Sequence, residues 1–114
     1  MYYKQYGDTD MKVSAIGFGC MRYPDEDVAA ENFEKCAELP LYAYEQGINY
    51  FDTAPFYCND KSEIITGMAV AQLPREKIFV SSKTNFGTID NVITEDSFMR
   101  RLELSLQRLQ TDYL

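Results

Sequence analysis

The sequence predicts an α/β protein built on a parallel sheet. Three short segments rich in β-forming residues, at positions 11–19, 48–51 and 78–82, alternate with three segments whose apolar residues have helical spacing. Parallel neighbours in a sheet need long crossover connections, which helices of ten or more residues provide. These observations leave two architectures open, a doubly wound sheet and part of a barrel.

The chain begins with a predicted β-hairpin. Residues 2–6 and 11–16 form its arms, and the turn-forming residues 7–10 connect them. We expect the second arm to continue through residues 16–19 as a buried strand that ends in Gly-x-Gly. Position 22 is Arg22, where a dinucleotide-binding fingerprint needs its third glycine. The glycines are therefore interpreted as points of close backbone approach.

The first helical segment covers residues 28–46, after acidic residues at 25–27 that suit the positive end of a helix dipole. Pro40 lies inside this segment and removes a backbone donor, so we expect two short helices or one kinked helix. Gly47 is expected to close the segment as a C-cap.

Two further helices are predicted downstream. Residues 60–72 form the first, and Pro74 marks its exit. After a predicted loop at 87–93, Thr94 is a good N-cap for the last helix. That helix has one apolar stripe, formed by Phe98, Leu102, Leu106 and Leu109. Residues 111–114 then predict the opening of a fourth strand.

Composition excludes several classes of function. The chain carries 11 Lys plus Arg against 18 Asp plus Glu, a net charge of −7, which disfavours binding to nucleic acid or to anionic membranes. It contains no His, so the usual metal ligand and the usual general base are absent. The three cysteines form no Cys-x-x-Cys pair, which disfavours a disulfide framework and predicts no metal site. With no signal peptide or long apolar run in the sequence, we expect a soluble, cytoplasmic protein.

Three polar side chains stand where predicted strands end. Asp52 follows one strand, Tyr57 lies five residues further in the next loop, and Lys83 follows the third strand. The carboxyl ends of parallel strands and the loops after them build active sites in α/β proteins. An ammonium stabilises a phenolate, and a carboxylate holds the ammonium in place, so the three predict a relay that protonates a carbonyl oxygen. Each residue alone also has an ordinary explanation as a turn, packing or solvated side chain.

The segment around Asp52 resembles the signature of the aldo/keto reductase superfamily. It reads Phe51-Asp52-Thr53-Ala54-Pro55-Phe56-Tyr57, followed by Ser62-Glu63 and Gly67. Residues 12–22 are similar to that family's hairpin and first barrel strand, and residues 78–84 to its third strand with the catalytic lysine. Residues 102–114 are similar to its third helix and the entry to its fourth strand.

The resemblance implies the N-terminal part of a (β/α)₈ TIM barrel, with a β-hairpin followed by about three βα units. Residues 1–114 would form one partial barrel, truncated at the start of the fourth strand. By resemblance, Tyr57 is the proton donor to the substrate, Lys83 tunes it and Asp52 anchors Lys83. The implied substrate is a small carbonyl compound or alcohol.

The same resemblance implies a nicotinamide cofactor, NADP or NAD, with NADP preferred. Gly19, Cys20 and Met21 would lie near its nicotinamide end, with Asp52 and Thr53 beside them.

A complete (β/α)₈ barrel typically needs about 250 residues. The family's catalytic His belongs to the end of the fourth strand, so we expect residues 1–114 alone to have little or no reductase activity. Two alternatives to an enzyme stay open. One is a non-catalytic aldo/keto reductase-like scaffold, and the other is a barrel fragment that pairs with itself or another chain through exposed sheet edges.

Overall fold

The computed structural model describes residues 1–84 and 94–114, which fold into two small sheets and a layer of helices. In chain order the elements are β1 (Tyr3–Gln5), β2 (Lys12–Ser14), β3 (Phe18–Gly19), α1 (Asp25–Ala29), α2 (Phe33–Glu45), β4 (Tyr50–Asp52), α3 (Ser62–Val70), a 3₁₀ turn (Arg75–Lys77), β5 (Phe79–Ser81) and α4 (Glu95–Leu109). The loop predicted at 87–93 lies outside the described residues.

The predicted hairpin is present, but its second arm is shorter than expected. β1 and β2 pair antiparallel, and Gly7 adopts a positive φ of 57° in the turn between them. The arm does not continue through residues 16–19. The Ser14 backbone N–H donates to Asn49 Oδ1 at 2.7 Å, the chain bends there, and Ile16 is left exposed. A separate strand, β3, then begins in the other sheet.

The second sheet is parallel, as the alternation of strands and helices predicts. β4 lies between β3 and β5, with Phe51 opposite both Phe18 and Val80. Phe51 and Val80 are buried in the main core. This register places Gly19, Asp52 and Ser81 side by side at the carboxyl ends of the three strands.

The predicted helical segment is divided into two helices, but the division does not fall at Pro40. α1 and α2 are separated near Glu31, which has a positive φ of 56°, and Pro40 lies inside α2. The Pro40 ring is fully buried, so its apolar contacts offset the backbone hydrogen bond that a proline removes from a helix. Gly47 closes α2 as predicted, with a φ of 93°.

The helices form one layer in which α3 packs against both α2 and α4. The predicted N-cap at Thr94 is confirmed: Thr94 and Ser97 exchange hydrogen bonds in a capping box. The predicted apolar stripe of α4 is only partly buried, because Leu109 is inaccessible while Phe98 is 39% exposed. The carboxyl half of α4 therefore makes the tighter contact.

Residues 111–114 do not form the predicted fourth strand. The Arg75 guanidinium donates to the Tyr113 carbonyl at 2.6 Å and to Thr111 Oγ1 at 2.7 Å, and it lies 3.7 Å from the centre of the Tyr113 ring. These contacts hold residues 111–114 beside the 3₁₀ turn that begins at Arg75. Within the described parts of the chain, no helix is long and apolar enough to cross a membrane.

Candidate active site

Asp52 and Lys83 meet at the carboxyl end of the parallel sheet. Asp52 ends β4 opposite Ser81 of β5, and Lys83 follows two residues after Ser81. Lys83 Nζ donates to both carboxylate oxygens, at 2.8 Å to Oδ2 and 3.0 Å to Oδ1, and to the Thr53 carbonyl at 3.0 Å. These three acceptors match the three hydrogens of an ammonium and fix its position.

Tyr57 completes the group of three predicted catalytic side chains. Lys83 Nζ lies 4.9 Å from the centre of the Tyr57 ring, within the range of a cation–π contact. The Phe56 ring packs edge-on against the Tyr57 ring, with centres 5.1 Å apart. The carboxylate, ammonium and phenol are thus neighbours at one end of the sheet.

The electrostatic environment keeps Lys83 charged. Burial by itself would lower the pKa of the Lys83 ammonium, but hydrogen bonds and charge attraction from Asp52 and Tyr57 outweigh it, and the net pKa lies above the ordinary lysine value. The Lys83 and Asp52 side chains are 40% and 42% exposed, so solvent screens their attraction and the pair adds little to fold stability.

The backbone after Tyr57 is in an unusual conformation. Cys58, Asn59 and Asp60 all have positive φ values, of 51°, 52° and 65°. The left-handed region is sterically costly for residues other than glycine, on the order of 1 kcal/mol or more each. The Ser62 N–H donates to the Tyr57 carbonyl at 3.1 Å, which anchors this tight turn to the start of α3.

A buried chain of hydrogen bonds fixes two of the predicted cofactor-binding residues. Cys20 and Thr53 are both 0% exposed. The Ser62 hydroxyl donates to the Cys20 carbonyl at 2.6 Å and therefore accepts from Thr53 Oγ1, at 2.7 Å. Burial also raises the pKa of the Cys20 thiol. Both residues are thus held in place by buried hydrogen bonds, and the cofactor-binding roles predicted for them stay predictions.

Besides Asp52, the predicted cofactor-binding residues that reach solvent are Gly19 and Met21. Met21 is 51% exposed, and no atom lies within 4 Å of the place where a Cβ on Gly19 would be. The open backbone at Gly19 leaves space beside Asp52. The roles predicted for these residues stay predictions.

The sequence did not single out two serines that hold the end of β5. Ser81 Oγ donates to Asp52 Oδ1 at 2.7 Å, and Ser82 Oγ donates to Glu63 Oε1 at 2.6 Å. Strand alternation could have indicated Ser81, since it shares a face with Lys83. No sequence pattern indicates that Ser82 reaches Glu63. Among residues 1–84 and 94–114, no three His, Cys, Asp or Glu side chains gather as a metal site.

Comparison with known proteins agrees with the geometry. The model of the aldo/keto reductase family matches residues 15–114. The chain belongs to this family. It is 37% identical over 94 residues to versiconal hemiacetal acetate reductase of Aspergillus parasiticus, a match covering 79% of this chain and 27% of that relative. It is 31% identical over 124 residues to the NADH-specific methylglyoxal reductase of Escherichia coli K12, covering 95% and 38%.

Solved aldo-keto reductases share the fold. The holo form of a Bacillus halodurans aldo-keto reductase matches with a TM-score of 0.80 and 29% identity, over 100% of this chain and 38% of that one. A Klebsiella pneumoniae aldo-keto reductase in complex with NADPH matches with a TM-score of 0.68 and 31% identity, over 90% and 34%. The structure thus corresponds to the N-terminal part of the family's (β/α)₈ barrel, which confirms the predicted fold. The chain spans 27% and 38% of the length of the two curated relatives.

Proposed function

We propose that this protein acts as an NAD(P)H-dependent aldo/keto reductase that converts a small carbonyl compound to an alcohol. The observation that carries the proposal is the position of the Lys83 ammonium, hydrogen-bonded to Asp52 and in contact with the Tyr57 ring. The relatives named above as reductases favour the same reaction.

In this proposal Tyr57 donates its phenolic proton to the substrate oxygen. The bound nicotinamide cofactor supplies the hydride. As the proton leaves, negative charge develops on the Tyr57 oxygen, and the fixed positive charge of Lys83 stabilises it. Asp52 holds Lys83 in its orientation, so the charge needs little rearrangement during the reaction. The raised pKa of Lys83 supports this role, because the ammonium stays protonated at neutral pH.

The residues present fit a nicotinamide cofactor at this end of the sheet. Gly19 lies opposite Asp52 in the β3–β4 pair, and the exposed Met21 follows two residues later. We propose that the nicotinamide end of the cofactor is bound by Gly19, Cys20, Met21, Asp52 and Thr53. We propose NADP as the preferred form, supported by the Klebsiella pneumoniae enzyme with bound NADPH. The NADH-specific relative from Escherichia coli makes NAD the competing choice.

The proposal extends to the surroundings of the protein. We place it in the cytoplasm, supported by three free cysteines, Cys20, Cys36 and Cys58, which a reducing compartment maintains. Its partners would be small carbonyl compounds or alcohols and not nucleic acid, given the net charge of −7. We also propose that residues 1–114 form one partial barrel whose sheet edges allow self-association.

A chimaera tests this function. Residues 1–114 would replace the matching part of the Escherichia coli methylglyoxal reductase, and oxidation of NADPH and NADH would be followed with methylglyoxal and a panel of aldehydes and ketones. We expect Tyr57→Phe to lower kcat at least about 100-fold, the range of a lost general acid. Tyr44→Phe, which removes a hydroxyl from a half-buried tyrosine on α2, is the matched control and should leave kcat unchanged.

Two results would contradict the proposal. One is a folded chimaera that binds NADPH or NADH and turns over no carbonyl substrate, which would favour a non-catalytic scaffold. The other is an active chimaera in which Tyr57→Phe has no effect. Residues 1–114 on their own should show little or no activity in the same assay.

A further inference from the structure

Glu63, on α3, is a carboxylate in a place where burial is costly. Its side chain is 0% exposed, and its charge partner Arg108 lies 3.5 Å away, from Nη1 to Oε2. Oε2 has no hydrogen-bond partner among the described residues. Taking a carboxylate out of water costs several kcal/mol, and an apolar side chain of similar size is often at least as stabilising. The fold therefore gains little stability from an acid at this position.

The other carboxylate oxygen of Glu63 holds the chain beside Lys83. Ser82 Oγ donates to Oε1 at 2.6 Å, a short bond to a charged acceptor. Ser82 directly precedes Lys83, so this bond fixes the backbone from which the Lys83 side chain extends.

The two serines at the end of β5 are held from opposite sides. Successive side chains point to opposite faces of an extended strand. Ser81 bonds to Asp52, on the face that Lys83 shares, while Ser82 bonds to Glu63 in the helix layer. The segment is thus clamped between one carboxylate of the sheet and one carboxylate of a helix.

We propose that Glu63 is a positioning residue for Lys83, acting through its hydrogen bond to Ser82. Arg108 of α4 forms an ion pair with the remaining carboxylate oxygen of Glu63, so the last helix contacts the same group. Without the Ser82 bond the chain leaving β5 is free to shift, and the Lys83 ammonium loses its close contacts with Asp52 and Tyr57. The catalytic importance of this clamp rests on the proposed function, but the position of Lys83 does not.

The test measures the titration of Lys83 directly and requires no catalysis. In isotope-labelled protein, the chemical shifts of Lys83 Cε and Nζ are followed by NMR from about pH 8 upward, with the signals assigned by Lys83→Arg. The described ionisable groups that act on this ammonium are Asp52, from β4, and Tyr57, from the loop after it. Substitution at Ser82 changes neither charge, so a change in the pKa of Lys83 reports its position.

We expect Ser82→Ala to lose the upward displacement of the Lys83 pKa and Ser82→Thr to keep it, because threonine retains the hydroxyl. Ser82→Val, close in shape to the threonine variant but with no hydroxyl and no ionisable group, should behave like Ser82→Ala and covers the case in which the alanine variant fails to fold. The matched control is Tyr23→Phe. It removes another buried hydroxyl bond to α3, from Tyr23 to Thr66 at 3.1 Å, and should leave the Lys83 titration unchanged.

A folded Ser82→Ala or Ser82→Val protein with the Lys83 titration of the wild type would overturn the positioning role. A shift of the same size in Tyr23→Phe would also overturn it, since a general loosening of α3 would then explain both. In the active chimaera, Ser82→Ala should lower kcat about tenfold with little change in KM. If the titration moves while Tyr57→Phe has no effect on turnover, the positioning role holds and the proposed function fails.

Discussion

Lys83 and Asp52 form a bidentate ion pair at the ends of two neighbouring parallel strands, with Nζ 2.8 Å and 3.0 Å from the two carboxylate oxygens. The pair is too exposed to contribute much to stability, yet Asp52 also accepts a hydrogen bond from Ser81. Such an arrangement serves to fix the direction of the ammonium, which then contacts the Tyr57 ring.

Asp52→Asn should weaken catalysis far more than folding. The asparagine keeps the shape of the side chain and one acceptor but removes the charge, so we expect the pKa of Lys83 to fall and the ammonium to move more freely. In the chimaera, kcat/KM should drop at least about tenfold. The free energy of unfolding, measured with urea, should change by no more than about 1 kcal/mol.

The control Asp60→Asn removes the same charge from an exposed position near Tyr57 and should leave kcat/KM within about twofold of the wild type. Equal losses in both variants would show that net charge, not the pair, is responsible.

Gly67→Ala should separate the two helices that pack at this position. A Cβ on Gly67 would collide with the Arg108 carbonyl oxygen and approach Leu109 Cα to 2.9 Å, and both obstacles are backbone atoms. Overpacking of this kind costs about 1 to 3 kcal/mol, which urea unfolding would detect. Gly19→Ala is the control, since no atom lies within 4 Å of the added Cβ, and it should change the free energy of unfolding by less than about 0.5 kcal/mol. A Gly67→Ala variant as stable as Gly19→Ala would contradict the α3–α4 contact.

The meeting of Asp52 with Lys83 could be predicted because parallel strands bring their carboxyl ends to one edge. That rule needs only the positions of the strand ends, and β4 and β5 obey it. The bond between Ser82 and Glu63 follows no such rule. It depends on how α3 is rotated and shifted against the sheet, and that is decided by packing across the whole layer.

Two predictions placed a break or a strand where the structure has none. Pro40 is a strong local signal for a break, but its buried ring is accommodated inside α2, while the break falls at Glu31. Residues 111–114 have strand-like composition, but Arg75, distant in sequence, binds the Tyr113 carbonyl. Contacts between distant residues overrode local preference in both places.

Arg75→Met should release residues 111–114 from the fold. The guanidinium donates to the Thr111 hydroxyl and to the carbonyls of Ile78 and Tyr113, and it stacks on the Tyr113 ring. Hydrogen bonds from a charged donor contribute about 1.5 to 3 kcal/mol, so we expect the free energy of unfolding, measured with urea, to fall by an amount of this order. Amide hydrogen exchange at Thr111, whose N–H donates to the Leu106 carbonyl at 3.2 Å, should accelerate at least about tenfold. Arg75→Lys keeps the charge but not the planar set of donors, and should give an intermediate result. Unchanged exchange in Arg75→Met would mean that other contacts hold this segment.

Tyr23 should make the protein less stable at high pH. The Tyr23 side chain is 3% exposed, and burial raises the pKa of its phenol far above the ordinary value, with the neighbouring Cys20 adding to the effect. In the unfolded chain a phenol loses its proton at about pH 10, whereas in the folded protein Tyr23 keeps it. Above that pH the unfolded state binds fewer protons than the folded state, so the free energy of unfolding falls as pH rises. Below about pH 9 the contribution of Tyr23 is constant.

Tyr23→Phe should therefore have opposite consequences at neutral and alkaline pH. At pH 7 the variant loses the hydrogen bond to Thr66 and should be less stable by about 1 kcal/mol. Between about pH 9 and 11 it should lose less stability than the wild type, because a phenylalanine has no proton to release on unfolding. Urea unfolding across this range measures both effects. Tyr42→Phe, at a tyrosine that is 62% exposed, is the control and should follow the wild-type curve. Parallel curves for the wild type and Tyr23→Phe would show that the Tyr23 phenol titrates alike in the folded and unfolded states.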